Sequence, residues 1–152
     1  MTTIPAAIDK LVEVCTIALP HARVDDGPVV NPYEQTADGW TTGVSVGWDA
    51  DGPAVEATLD REMSDGMGAD VETYRILSTL FKFNGDETAR PLRVAAFEDY
   101  TALKAALRNR HPLVPGVLTA RMSVVDYEVR PVEGGWDGRL RFTVEVTAFD
   151  RD

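Results

Sequence analysis

The C-terminal third of the chain alternates apolar and polar side chains on both sides of a glycine-rich turn, and this pattern restricts the fold more than any other feature. Val117, Thr119, Arg121, Ser123, Val125, Tyr127 and Val129 oppose Leu118, Ala120, Met122 and Val124. After Gly134-Gly135-Trp136-Asp137-Gly138, the residues Leu140, Phe142, Val144, Val146 and Ala148 alternate with Arg139, Arg141, Thr143, Glu145 and Thr147. A period of two sends successive side chains to opposite faces of a strand, so the segment predicts a long antiparallel hairpin. Its apolar face requires a second layer, which the rest of the chain must supply.

Two segments carry the helical repeat. In the first, Ile4, Ile8, Leu11, Val12, Cys15 and Leu19 fall on one stripe, Thr2 or Thr3 offers an N-cap, and Pro5 lies near the first helical position. Pro20 ends it, so a helix is predicted over residues 5–18, with Asp9, Lys10 and Glu13 toward water. The second has Thr88 as a possible N-cap, Pro91 near its start, and Val94, Phe97, Tyr100, Leu103 and Leu107 at steps of three or four. It should end near Arg110, because His111 precedes Pro112 and is pushed out of the helical region.

Between the helices the chain reads as strands over residues 23–25, 40–48, 54–63 and 71–83, separated by Gly- and Pro-containing turns. In the second of these, Gly43, Ser45 and Gly47 make a bare face that another layer can approach closely. The fourth places Tyr74, Ile76 and Leu80 opposite Leu77, Thr79 and Phe81, and apolar content on both faces predicts a central strand. The expected order is α-β-β-β-β-α-β-β in one domain over residues 1–152. This is an α+β fold with both helices on one face of a mostly antiparallel sheet.

With 152 residues, 44% of them apolar, the chain is large enough to bury a core without a staple. A lone cysteine, Cys15, excludes an internal disulfide, and neither a secretory leader nor an apolar run of roughly 18 residues is visible. A soluble cytosolic product is expected. The formal net charge of -10 argues against specific nucleic-acid or anionic-membrane binding.

The reactive residue types do not assemble a site of chemistry. Cys15 falls on an apolar stripe, and His21 and His111 sit at helix exits where an imidazolium can meet the last carbonyls. Asp49-Ala50-Asp51-Gly52 resembles part of a calcium loop, yet Gly47 and Thr58 stand where that loop needs ligands. Gly66-Met67-Gly68 joins two strands with no helix after it to meet a phosphate. The carboxylate pairs Asp25 with Asp26 and Asp60 with Glu62 read as solvated surface. No catalytic residue, metal or cofactor is expected.

The layout as a whole resembles the tail terminator (tail completion) family of long-tailed bacteriophages, of the lambda-like kind. Carrying the resemblance are the opening Ile4-Pro5-Ala6-Ala7-Ile8-Asp9-Lys10-Leu11-Val12, the phrase Val24-Asp25-Asp26-Gly27-Pro28-Val29, and Val44-Ser45-Val46-Gly47-Trp48-Asp49. A strand over residues 72–80 leading to Phe83-Asn84-Gly85-Asp86, a helix over 93–107 and the terminal hairpin complete it, in order along nearly the entire chain. The resemblance implies a virion structural protein that forms a homo-hexameric ring on the last ring of tail tube protein. Such a ring stops tube polymerisation and docks the head-tail connector at the neck, after assembly in the host cytoplasm. Genomic DNA would pass through it without specific binding, and no membrane is involved. Candidate interface residues lie in three turns: Asp49 and Asp51 in the first, Met63, Asp65, Met67 and Asp70 in and beside the second, and Trp136 and Asp137 in the third. Two other classes fit the same residues: a head-closure or tube-related assembly protein, and a small ligand-binding or enzymatic α+β domain.

Overall fold

A computed structural model describes residues 2–28, 41–48, 52–60, 69–85 and 88–151, with 58–60, 69–70 and 150–151 described as backbone. Its elements are helix α1 (Ile4–Ala18), strands β1 (Arg23–Asp26), β2 (Thr41–Val46), β3 (Val55–Asp60) and β4 (Ala69–Asn84), helix α2 (Arg90–Arg108), and strands β5 (Val117–Val132) and β6 (Gly135–Arg151). The class is α+β, with a six-stranded sheet ordered β1-β2-β4-β6-β5 and β3 also paired with β4. β1 runs parallel to β2; the other pairs are antiparallel.

β4 is the central strand. One edge pairs with β6 along its length, from Ala69 opposite Arg151 to Asn84 opposite Trp136. Its other edge is shared: β2 takes residues 78–83 and β3 takes 71–76. At the handover, Leu77 accepts from the Trp48 amide at 2.9 Å and donates to the Ala54 carbonyl at 3.0 Å. β2 and β3 thus behave as one strand interrupted by residues 47–54, and no backbone group of β4 is lost at the break. β2 stops at Val46, short of the expected residue 48, because Gly47 turns the chain with φ 68°.

The alternation expected for β6 holds: Leu140, Phe142, Val144, Val146 and Ala148 are fully buried. They share a core with Val44 and Val46 of β2, Tyr74, Ile76 and Leu80 of β4, and residues of both helices. Each large side chain of this row contributes about 1.5–3 kcal/mol. The helices enter that core through Ala7, Leu11, Val14 and Cys15 of α1 and through Tyr100, Leu103 and Leu107 of α2, whose Leu92 and Ala96 are also buried. Val94 and Phe97, expected in the α2 core stripe, instead lie exposed. The bare face of β2 is also filled from within the sheet: a Cβ on Gly43 would lie 2.1 Å from the Phe81 ring of its cross-strand partner.

Buried charges hold the helices to the sheet. Thr3 is the N-cap of α1 but makes no side-chain cap. Its amide and hydroxyl instead donate to Glu72 Oε1 of β4 at 2.7 and 2.8 Å, and Thr2 Oγ1 donates to Glu72 Oε2 at 2.9 Å. With the Thr3 proton so used, Tyr74 OH donates to Thr3 Oγ1 at 2.8 Å. Burial raises the Tyr74 pKa, and the Glu72 charge adds to the rise. A carboxylate at a helix N-terminus also satisfies free amides and meets the positive end of the dipole. For α2, the N-cap is Ala89, not Thr88, and Pro91 occupies the first turn.

At the other end of the helix layer, Lys82 Nζ lies 2.9 Å from Asp99 Oδ2 of α2 and 2.8 Å from Thr42 Oγ1 of β2. His21, just beyond α1, places Nε2 3.2 Å from Asp99 Oδ1. Lys82 is 2% exposed, so its charge depends on these partners.

Two outcomes follow. Asp99→Ala should cost about 3–5 kcal/mol, since it strands a buried ammonium, whereas Lys82→Met should cost less; urea denaturation of both variants measures the difference. Burial pushes the Cys15 thiol up to about 12. The fold favours the neutral thiol, so this contribution is complete below the unfolded value near 9 and disappears as pH rises toward 12. Native protein at pH 8 should resist thiol labelling, and one thiol per chain should react once guanidinium unfolds it.

Candidate assembly surface

Of the eight candidate interface residues, Asp70, Trp136 and Asp137 are among the described residues. Asp49, Asp51, Met63, Asp65 and Met67 lie outside the described residues. Asp70 is not in a loop; it lies within β4, opposite Asp150. Trp136 and Asp137 are not in a turn either. The hairpin turns over Glu133 and Gly134 alone, with φ 82° at Gly134. Trp136 then pairs with Asn84 and Pro131, and Asp137 with Phe83 and Arg130. Trp136 is half-buried, and Asp137 is buried with Arg139 Nε 3.4 Å from its Oδ2. Glycine permits this tight start to β6, since a Cβ on Gly135 would meet the Asn84 carbonyl oxygen at 2.0 Å. The strand also continues through Pro131, which an edge strand tolerates.

The margin formed by β5 was not singled out by the sequence. β5 pairs only with β6 among the described residues and ends the sheet. Its register shifts between Val117 and Thr119 and again between Val124 and Asp126. Each bulge inserts one residue and reverses the faces beyond it. Thus Ala120, Met122 and Val124 share the helix-side face with Tyr127 and Val129, and the expected strict alternation from 117 to 129 is broken twice. The inserted residues, Leu118 and Val125, are exposed, as are Val124 and Val129.

α2 extends this apolar margin. Val94 and Phe97, with Arg93, Glu98 and Thr101, line an open groove on its outer side. The Phe97 ring packs edge-on against Tyr127 of β5 at 5.5 Å. Burial raises the Tyr127 pKa, and the Arg93 charge opposes the rise. Val94 and Phe97 are out of phase with Ala96, Tyr100, Leu103 and Leu107. That second stripe is the sequence signal for an outward apolar face.

The sheet face away from the helices carries cross-strand polar and charge pairs beside Leu77, Phe81 and Phe83 of β4. Arg75 Nε lies 3.2 Å from Glu145 Oε2, Ser123 and Thr143 hydroxyls approach to 3.2 Å, and Arg141 makes a two-point pair with Asp126, with Nε–Oδ1 at 2.8 Å. Such cross-strand pairs suit a solvated face. The Arg141 hydrogen bonds hold the Asp126 carboxyl below its usual range. Among the described residues, no group of three or more His, Cys, Asp or Glu could hold a metal ion, and no helix is long and apolar enough to cross a membrane.

Because the folded Asp126 releases its proton more easily than the unfolded one, its contribution is present above about pH 4 and lost as pH falls through the folded value. Asp126→Asn should therefore show a small loss of stability at pH 7, and the gap to the original chain should close in acid; urea midpoints across pH 2–7 measure it. The chain matches no protein-family model and no curated protein.

Proposed function

We propose that this chain is a structural assembly subunit that caps a phage tail tube. Copies close into a hexameric ring, stop tube polymerisation and present the surface on which the head-tail connector docks. The observation that carries the proposal is the β5 margin: a 16-residue strand at the end of the sheet with exposed Leu118, Val124, Val125 and Val129, continued by Val94 and Phe97 of α2. Apolar groups in one band beside an edge strand are what a protein interface uses. The succession of helix, four strands, helix and hairpin further supports the likeness to tail terminators. In this reading no reaction is assigned to the chain. Cys15 is buried with its thiol neutral, and His21 is engaged by Asp99.

The net charge of -10 also suits a ring through which genomic DNA slides, since an acidic wall repels phosphate. The ring would reside at the neck of the virion after assembling in the host cytoplasm. Electron microscopy of tube assembly provides the test. Tubes of uniform length capped by rings are expected when the protein is present, and overgrown tubes when it is omitted. Equal tube lengths in both reactions would defeat the proposal, and tubes lengthened by the protein would instead indicate a tube-forming subunit.

A further inference from the structure

The two ends of the sheet differ in charge. Where the second half of α2 passes β5, a groove is lined by Lys104, Leu107, Arg108, Ala120, Arg121 and Met122. All three charged residues are cations, in a chain whose net charge is -10. Among the described residues none of the three makes an ion pair: Glu145, opposite Arg121 in the ladder, is taken by Arg75, as Asp126 is by Arg141. The groove also coincides with residues 119–124 of β5, a regular stretch between the two register shifts and free of proline. An edge strand there offers backbone donors and acceptors to another strand.

At the opposite end stands β1, the other terminal strand in the sheet order, packed under α1. Asp25 is held 3.1 Å from Arg23, while Asp26 on β1 and Asp9 on α1 are exposed. Acid thus remains at this margin and base at the other.

We propose that the α2–β5 margin of one copy seats the α1–β1 margin of the next, head to tail, with Lys104, Arg108 and Arg121 facing Asp9 and Asp26. This inference rests on the self-assembly reading above and specifies its joint. A contact between two different surfaces either closes into a ring or grows without limit, and this one covers the outer margins of β1 and β5 in every copy. Opposite charge fixes which margin meets which, because like-charge juxtaposition is strongly unfavourable. Nucleic-acid phosphate is the other anion such a groove attracts. It is disfavoured here because the same strand exposes apolar Leu118, Val124 and Val125 and the chain as a whole is acidic.

The test uses two charge-reversed forms of the full chain, K104E/R108E and D9K/D26K, checked for unchanged circular dichroism and measured by light scattering with and without tube ends. Each alone should associate at least about tenfold more weakly than the original, since like charges then meet at the joint. An equimolar mixture should recover the original assembly as a ring of alternating copies, because each reversed margin finds its complement. If the original assembles and the reversed forms assemble equally well, the joint lies elsewhere and this inference falls while the self-assembly reading stands. If the original remains monomeric at all concentrations and on tube ends, both fall. A duplex oligonucleotide that binds the original and loses about tenfold or more on K104E/R108E would reassign the groove to phosphate and overturn the joint.

Discussion

Backbone hydrogen bonding along β4 is the constraint to which the rest of the molecule conforms. A strand buried on both edges must find partners for every amide and carbonyl, and β4 needs them over 16 residues. β6 is long enough to serve one edge alone. No single strand serves the other, so β2 and β3 divide it, with Trp48 and Ala54 covering Leu77 at the join. The length of the sheet, the position of both hairpin strands and the placement of β1 and β5 at its ends all follow from that arrangement.

Polar anchors then determine where the helices rest. Glu72 and Lys82 point to the helix side at opposite ends of β4, and each is buried. One receives the start of α1; the other engages α2 through Asp99, which also holds His21 just beyond α1. Apolar packing between a helix layer and a sheet is tolerant of sliding, whereas a buried charge has one low-energy partner. The acid at one end and the base at the other therefore fix the helix layer along the strand.

The legible parts of the fold were those with an unbroken period. β6 alternates without interruption, so its buried row could be read directly, and the proline-flanked helices were bounded to within a few residues. β5 could not be read in the same way, because Leu118 and Val125 each add one residue and a bulge leaves no compositional mark. The Lys82–Asp99–His21 group was hidden for a different reason. Its members lie far apart in sequence, and the one clue was a lysine inside the apolar run Leu80-Phe81-Lys82-Phe83. Of the candidate interface, Trp136 and Asp137 were misplaced because the glycines around them suggested a wide turn, when two residues suffice. The exposed stripe on α2 is not separable from its core stripe by spacing alone, since Val94 and Phe97 also satisfy a spacing of three.

The two bulges of β5 give that strand a property that neither its length nor its composition suggests. A long uninterrupted edge is a template for any extended segment and invites stacking without end. Here the kinks divide the edge, so that a visiting strand longer than about six residues would lose alignment with it. The border therefore selects visitors by size, admitting a short segment such as the four residues of β1 and refusing the indefinite ribbons from which fibrils grow.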